Sequence, residues 1–153
     1  MLLGLLVLVT GCQKQDDASR TGLIYCADGA PRSFNPQLAN SEATLDASAR
    51  PLYDRLLEVN ANTLSIEGGL ATHWRSSEDG LSYTLTLRKG VTFHDGKALS
   101  PADVVYSISR QKDPATSSKA KVLADQIETV KASGPNEVTI VLSVPNADLP
   151  VIL

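Results

Sequence analysis

Glu78-Asp79-Gly80-Leu81-Ser82-Tyr83-Thr84-Leu85-Thr86-Leu87-Arg88-Lys89-Gly90-Val91 is the stretch from which the fold of this chain is best read. Glu78-Asp79-Gly80 is turn chemistry, and after it Tyr83, Leu85 and Leu87 alternate with Thr84, Thr86 and Arg88. Alternation with a period of two marks a strand with one face buried and the other wet. Working outward, Ser100-Pro101-Ala102-Asp103 offers an N-cap, a proline at the first helical position and an acid three residues after the cap. A helix is expected from Pro101 to about Gln111 with Val104, Val105 and Ile108 on its apolar side, and Asp103 stabilises its first turn.

Further along, a polar stretch from Lys112 to Lys119 leads to a weaker helix ending near Gln126. Ile127–Lys131 and Val138–Leu142 then bracket Gly134-Pro135-Asn136-Glu137, which reads as a hairpin. Upstream, Leu56–Val59 and Leu64–Ile66 flank Asn60-Ala61-Asn62 as another hairpin. Ser41 can cap a helix whose Leu45, Ala49, Leu52, Tyr53 and Leu56 share a face, with Pro51 expected to kink it. Leu23-Ile24-Tyr25-Cys26 reads as a buried first strand ending at Asp28-Gly29-Ala30-Pro31. The fold class is therefore α/β, with mixed sheets, hairpins and short helices.

The N-terminus is different in kind. Leu2 to Thr10 is apolar apart from Gly4 and too short to span a bilayer, which needs about 20 such residues. It has the length of a signal-peptide core, and Val9-Thr10-Gly11-Cys12 resembles a bacterial lipobox in which Cys12 carries the lipid anchor. No Lys or Arg precedes Leu2, so the expected start of the polypeptide lies upstream. Residues 13–21 are polar throughout and read as a flexible tether. Cys26 is left either to a disulfide partner elsewhere or to service as a small buried hydrophobe. At the other end, Leu149-Pro150-Val151-Ile152-Leu153 is apolar with no stop signal behind it, and is expected to be cut in mid-element.

Composition excludes several classes. With 153 residues, 20% charged and a net charge of -3, the chain has no basic stripe for nucleic acid. His73 and His94 stand far apart without ligand spacing around them, so no metal is expected. No nucleophile elbow, phosphate loop or Cys-x-x-Cys occurs, and neither a catalytic residue nor a cofactor is expected.

Two blocks resemble the peptide/nickel/oligopeptide solute-binding proteins of ABC importers, particularly the dipeptide-binding and antimicrobial-peptide-resistance branch. The first is Ile24-Tyr25-Cys26-Ala27-Asp28-Gly29 with Phe34-Asn35-Pro36-Gln37, Asp46-Ala47-Ser48 and Pro51-Leu52-Tyr53-Asp54-Arg55-Leu56. The second runs from Leu70-Ala71 and Trp74 through Glu78-Asp79-Gly80, Tyr83-Thr84-Leu85, Leu87-Arg88-Lys89-Gly90-Val91 and Phe93-His94-Asp95-Gly96 to Ala102-Asp103-Val104-Val105-Tyr106-Ser107. Beside the resemblance, Trp74 and Phe93 read as core anchors, His94 as a turn residue, and Arg88 as the partner of a nearby acid.

The resemblance implies the N-terminal part of a two-lobed periplasmic-binding-protein fold that closes on its ligand by a hinge. Residues 1–12 would be signal peptide and lipobox, 13–21 tether, 22–60 the start of lobe I, and 61–153 an inserted extra domain. It implies a monomeric, lipid-anchored lipoprotein in the periplasm or on the outer face of the cytoplasmic membrane. Its partners would be a peptide ligand and ABC permease subunits, with the ligand's termini held in a second lobe beyond Leu153. The residues expected to face ligand are Gly29, Ala30, Asn40 and Ser41, with the helix cap as the simpler role for Ser41. Nickel complexes, haem, opines or sugars are the alternative ligands; a secreted lipoprotein hydrolase and a cytoplasmic regulator are the alternatives of another class.

Overall fold

The computed structural model describes residues 26, 29–38, 41–114 and 121–153. The lipobox with Cys12, the tether, Leu23-Ile24-Tyr25 and Asn40 lie outside the described residues. Within them, a 3-10 turn (Pro36–Leu38) precedes α1 (Glu42–Thr44), which passes through a π-helical turn (Leu45–Ala49) into α2 (Arg50–Leu52). Strands β1 (Leu57–Val59) and β2 (Ile66–Gly68) form a two-stranded antiparallel sheet straddling the expected junction at Asn60/Ala61. Strands β3 (Ala71–Ser76), β4 (Ser82–Leu87), β5 (Ile127–Gly134) and β6 (Glu137–Leu142) form an antiparallel sheet in the order β3-β4-β6-β5. Helix α3 (Pro101–Lys112) covers β5 and β6, and α4 (Lys121–Ala124) and α5 (Leu149–Ile152) are single turns.

The alternation in β4 places Tyr83, Leu85 and Leu87 in the core and leaves Ser82, Thr84 and Thr86 half-buried. Strand β6 repeats the pattern with Val138, Ile140 and Leu142. Register brings Tyr83 opposite Ile140 and Leu85 opposite Val138, so the two apolar rows share one face. Val104 of α3 closes that face, with Val105 and Ile108 packed at its margin. The Glu78-Asp79-Gly80 turn holds as expected. Gly80 takes φ +69°, and the Asp79 carboxylate accepts hydrogen bonds from the Ser77 hydroxyl (2.5 Å) and the Leu81 amide (3.0 Å). These bonds, that from Ser77 first, hold the Asp79 pKa below the usual carboxylate value.

Several expectations are corrected. Pro51 does not kink a long helix. The chain widens to π register just before it, which accommodates the carbonyl that the proline ring would meet, and the helix ends at Leu52. Strand β3 carried no alternation to betray it, because it is an edge strand on which only Ala71 is buried and Trp74 half-buried. Phe93 is 44% exposed and is not a core anchor. Arg88 donates to the Gly69 carbonyl rather than to an acid. Cys26 is exposed and free, which removes the buried-hydrophobe reading.

The capping box at α3 also holds. Asp103 accepts from the Ser100 amide (2.9 Å), the Ser100 hydroxyl (2.5 Å) and the Lys97 ammonium (2.8 Å). With Lys97 as the largest influence and Ser100 next, the Asp103 pKa falls from 3.8 to about 2. A depressed carboxyl contributes stability above its unfolded value and loses it as pH falls through the folded one. The Ser100 amide, which donates to this carboxylate, should therefore keep its hydrogen-exchange protection when pH is lowered to 3.8 and lose it progressively toward 2. Asn in place of Asp103 should remove that pH dependence.

The chain crosses itself at Arg55-Leu56. The Arg55 carbonyl accepts from the Leu70 amide (2.8 Å), and the Leu56 carbonyl from Gly69 (3.1 Å) and Ala71 (2.9 Å). The Leu56 amide donates to the Leu153 carbonyl (3.1 Å), and the Arg55 guanidinium to Val151 and Ile152 (3.1 Å each). A Cβ on Gly69 would stand 2.3 Å from the Arg55 oxygen, inside any tolerable contact. Gly69→Ala should consequently lower stability by more than about 2 kcal/mol in urea denaturation, as changes that force a buried backbone apart do.

Candidate functional site

Of the segment expected to face ligand, the described residues 29–38 and Ser41 are bound back onto the helix that follows. Gly29 and Ala30 are exposed, and a Cβ on Gly29 would come within 3.9 Å of the Ala43 Cβ, so the loop lies along α1. Its anchor is Thr44, which is 1% exposed. The Thr44 hydroxyl accepts from the Arg32 amide (3.1 Å) and is 2.9 Å from the Ser41 hydroxyl. The Ser41 oxygen accepts from the Thr44 amide (3.4 Å), and Ser48, fully buried, donates to the Thr44 carbonyl (2.5 Å). Ser41 thus occupies the N-cap and meets the cap role expected of it.

The middle of the loop is held as firmly. Asn35 accepts from the Gln37 amide (3.0 Å) and its own amide donates to the Ser33 hydroxyl (3.0 Å). The Gln37 side-chain amide donates to the carbonyl and hydroxyl of Ser107 on α3 (3.2 Å each), while the Tyr53 hydroxyl donates to the Phe34 carbonyl (2.6 Å). Exposed backbone at Gly29 and Ala30 is therefore presented from a pre-formed support. At Gly29, Ala30 and Ser41 the loop offers hydrogen-bonding groups of the kind used in recognition.

Thr44 and Ser48 escaped sequence reasoning because hydroxyls in a helix ordinarily face water. The signal was their spacing of four, which matches the apolar stripe on the same helix. Among the described residues no three of His, Cys, Asp and Glu cluster closely enough to hold a metal ion, and no helix is long and apolar enough to cross a membrane. His94 sits in a turn, and His73 lies beside the Thr72 hydroxyl (3.2 Å). A groove of about 820 Å³ opens elsewhere, between the exit of α2, Val91–Leu99 and α3. Leu52, Leu70, Val91 and Ile108 are among its walls; Gly29, Ala30 and Ser41 are not.

This mixed α/β arrangement, with its four-stranded sheet and capped helix, matches part of the fold of two-lobed periplasmic binding proteins. The chain belongs to the bacterial extracellular solute-binding proteins, family 5, whose middle region matches residues 65–153. It is 43% identical over 143 residues to the dipeptide-binding protein of Escherichia coli K12, a match covering 82% of this chain and 26% of that one. It is 42% identical over 103 residues to heme-binding protein A of Haemophilus influenzae, covering 63% of this chain and 19% of that one. Among solved structures, the dipeptide binding protein from Pseudoalteromonas sp. SM9913 in complex with Met-Leu superposes with a TM-score of 0.77 at 31% identity, over 85% of this chain and 29% of that one. NikZ from Campylobacter jejuni in complex with Ni(L-His) gives 0.73 at 28% identity, over 82% and 24%. The chain thus spans about a fifth to a quarter of the length of the Escherichia coli and Haemophilus influenzae relatives.

Thr44→Val keeps the shape of the anchor and removes its hydroxyl, leaving the Arg32 amide without its partner. It should lower stability by about 1–3 kcal/mol and speed hydrogen exchange at Arg32, with the protection of β4 and β6 unchanged. Unaltered exchange at Arg32 would show that the loop is held by something other than Thr44.

Proposed function

We propose that this chain is part of an extracytoplasmic lipoprotein that captures di- and oligopeptides and hands them to the membrane permease of an ABC importer, binding its cargo without transforming it. The observation that carries the reading is the 43% identity to a dipeptide-binding protein, sustained over 143 residues and including the loop from Gly29. The haem-binding relative matches over 103 residues only, and the solved relatives include nickel and peptide complexes alike, so peptide rests on the longer match. Residues 22–60 begin the first lobe and residues 61–153 form the unit inserted into it. Gly29, Ala30, Asn40 and Ser41 contribute hydrogen bonds to the ligand backbone from the first lobe, and the second lobe supplies the charged groups for its termini. Cys12 carries the acyl anchor, and the protein acts as a monomer at the outer face of the membrane.

A protein of family length that carries these residues should give saturable heat with Met-Leu in calorimetry and none with haemin or a nickel–histidine complex. Saturation by haemin with no competition from peptide would overturn the choice of cargo. Cys12→Ala should move the protein from the membrane to the soluble fraction, and unchanged partitioning would count against the anchor.

A further inference from the structure

The two ends of the loop expected to face ligand are both tied to α1, one by the Arg32 amide on the Thr44 hydroxyl and the other by the Ser41 cap. Its middle is tied elsewhere. In the 3-10 turn at Pro36–Leu38 the Gln37 amide donates to the Asn35 side-chain oxygen (3.0 Å) and the Leu38 amide to the Asn35 carbonyl (3.1 Å). From that turn the Gln37 side chain reaches across 70 residues of sequence to Ser107, donating to its carbonyl and to its hydroxyl at 3.2 Å each. Ser107 belongs to α3, whose Val104 is part of the core under the four-stranded sheet. The loop is thereby joined to the packed layer of the molecule.

Packing alone would favour another residue at this position. The Gln37 Oε1 atom is shut off from solvent and, among the described residues, has no hydrogen-bond partner. An oxygen left in that state costs stability, and an unbranched apolar side chain such as Met would fill the space without it. What the amide supplies instead is direction, because a hydrogen bond fixes angle as well as distance. A ligand that meets a loop already held in place loses less binding free energy to ordering it.

We propose, building on the peptide-capture reading above, that Gln37 is a positioning residue for the ligand. Its side-chain amide fastens the loop to α3, so that residues 61–153, which supply none of the groups assigned to ligand contact, raise the affinity of the first lobe from behind. Gln37 acts through Gly29, Ala30 and Ser41 and not by touching the ligand.

The test uses a protein of family length that carries these residues, with Gln37→Met, Ser107→Ala and the two combined. Gln37→Met should weaken Met-Leu binding about ten-fold in calorimetry, and Ser107→Ala, which leaves the carbonyl in place, about two- to three-fold. In the Gln37→Met background Ser107→Ala should add nothing, since the bond it would remove is already gone. The urea midpoint should stay at the parent's value or rise, and hydrogen exchange should quicken at the Asn35 and Leu38 amides while β4 and β6 keep their protection. Unchanged affinity in Gln37→Met, additive effects of the two substitutions, or a loss of affinity that comes with a lowered midpoint overturns the proposal. Should the parent protein itself not bind Met-Leu, the choice of peptide fails, and exchange decides about Gln37: faster exchange at Asn35 and Leu38 in Gln37→Met upholds the fastening, and unchanged exchange there overturns it.

Discussion

The crossing at Arg55-Leu56 is the constraint on which the remaining geometry depends. Three segments distant in sequence meet there through backbone bonds: the exit of α2, the run Gly69–Ala71 that opens β3, and the end of α5. None of them pairs as a regular sheet at that point, so the crossing relies on close approach of main chains. Gly69 permits it because it brings no Cβ against the Arg55 oxygen, and Arg88 holds the Gly69 carbonyl from the far side. Both arginines of the junction satisfy carbonyls rather than acids. A guanidinium is suited to that work, since its fork of donors can serve two carbonyls without needing a buried counter-charge.

From this junction the two parts of the molecule acquire different tasks. The four-stranded sheet with α3 is a conventional packed layer, its stability lodged in two neighbouring rows of apolar side chains on one face. The helical segment before β1 is held largely by hydroxyls, with Thr44 and Ser48 buried and bonded among themselves and to the loop they support. A polar anchor fixes direction more strictly than an apolar one, because a hydrogen bond tolerates little misalignment. That is a sensible arrangement where a loop must present backbone groups at set positions. It also explains why the family is easier to recognise than the ligand: the matched residues 65–153 build scaffold, and a scaffold can serve many cargoes.

The sequence spoke most clearly where one rule acted alone. Period-two alternation gave β4 and β6, turn chemistry gave both hairpins, and Ser100 with Pro101 and Asp103 marked the start of α3 to the residue. It was silent at β3, where an edge strand in Thr-His-Trp-Arg has no buried row to advertise. It misled at Phe93 and Arg88, where residue type suggested a core ring and an ion pair while the fold placed one at a groove and gave the other a carbonyl. At the loop, Ser41 could be read as a cap from local rules. Its partner Thr44 could not, because burial of a hydroxyl is decided by what packs over it.

The order β3-β4-β6-β5 has a bearing on how such a chain reaches its fold and how it can change. Each outer pair is a hairpin closed by a short turn, whereas the central seam joins strands far apart, Thr84 lying 55 residues from Thr139. Local pairs form early and the seam late, since closing a long loop must precede the contacts that reward it. Yet the entropy of that loop rises only by about 0.6 kcal/mol for each doubling of its length. The stretch between β4 and β5, which carries α3 and α4, is thus the place where a lineage can lengthen or shorten the protein while the sheet keeps its register.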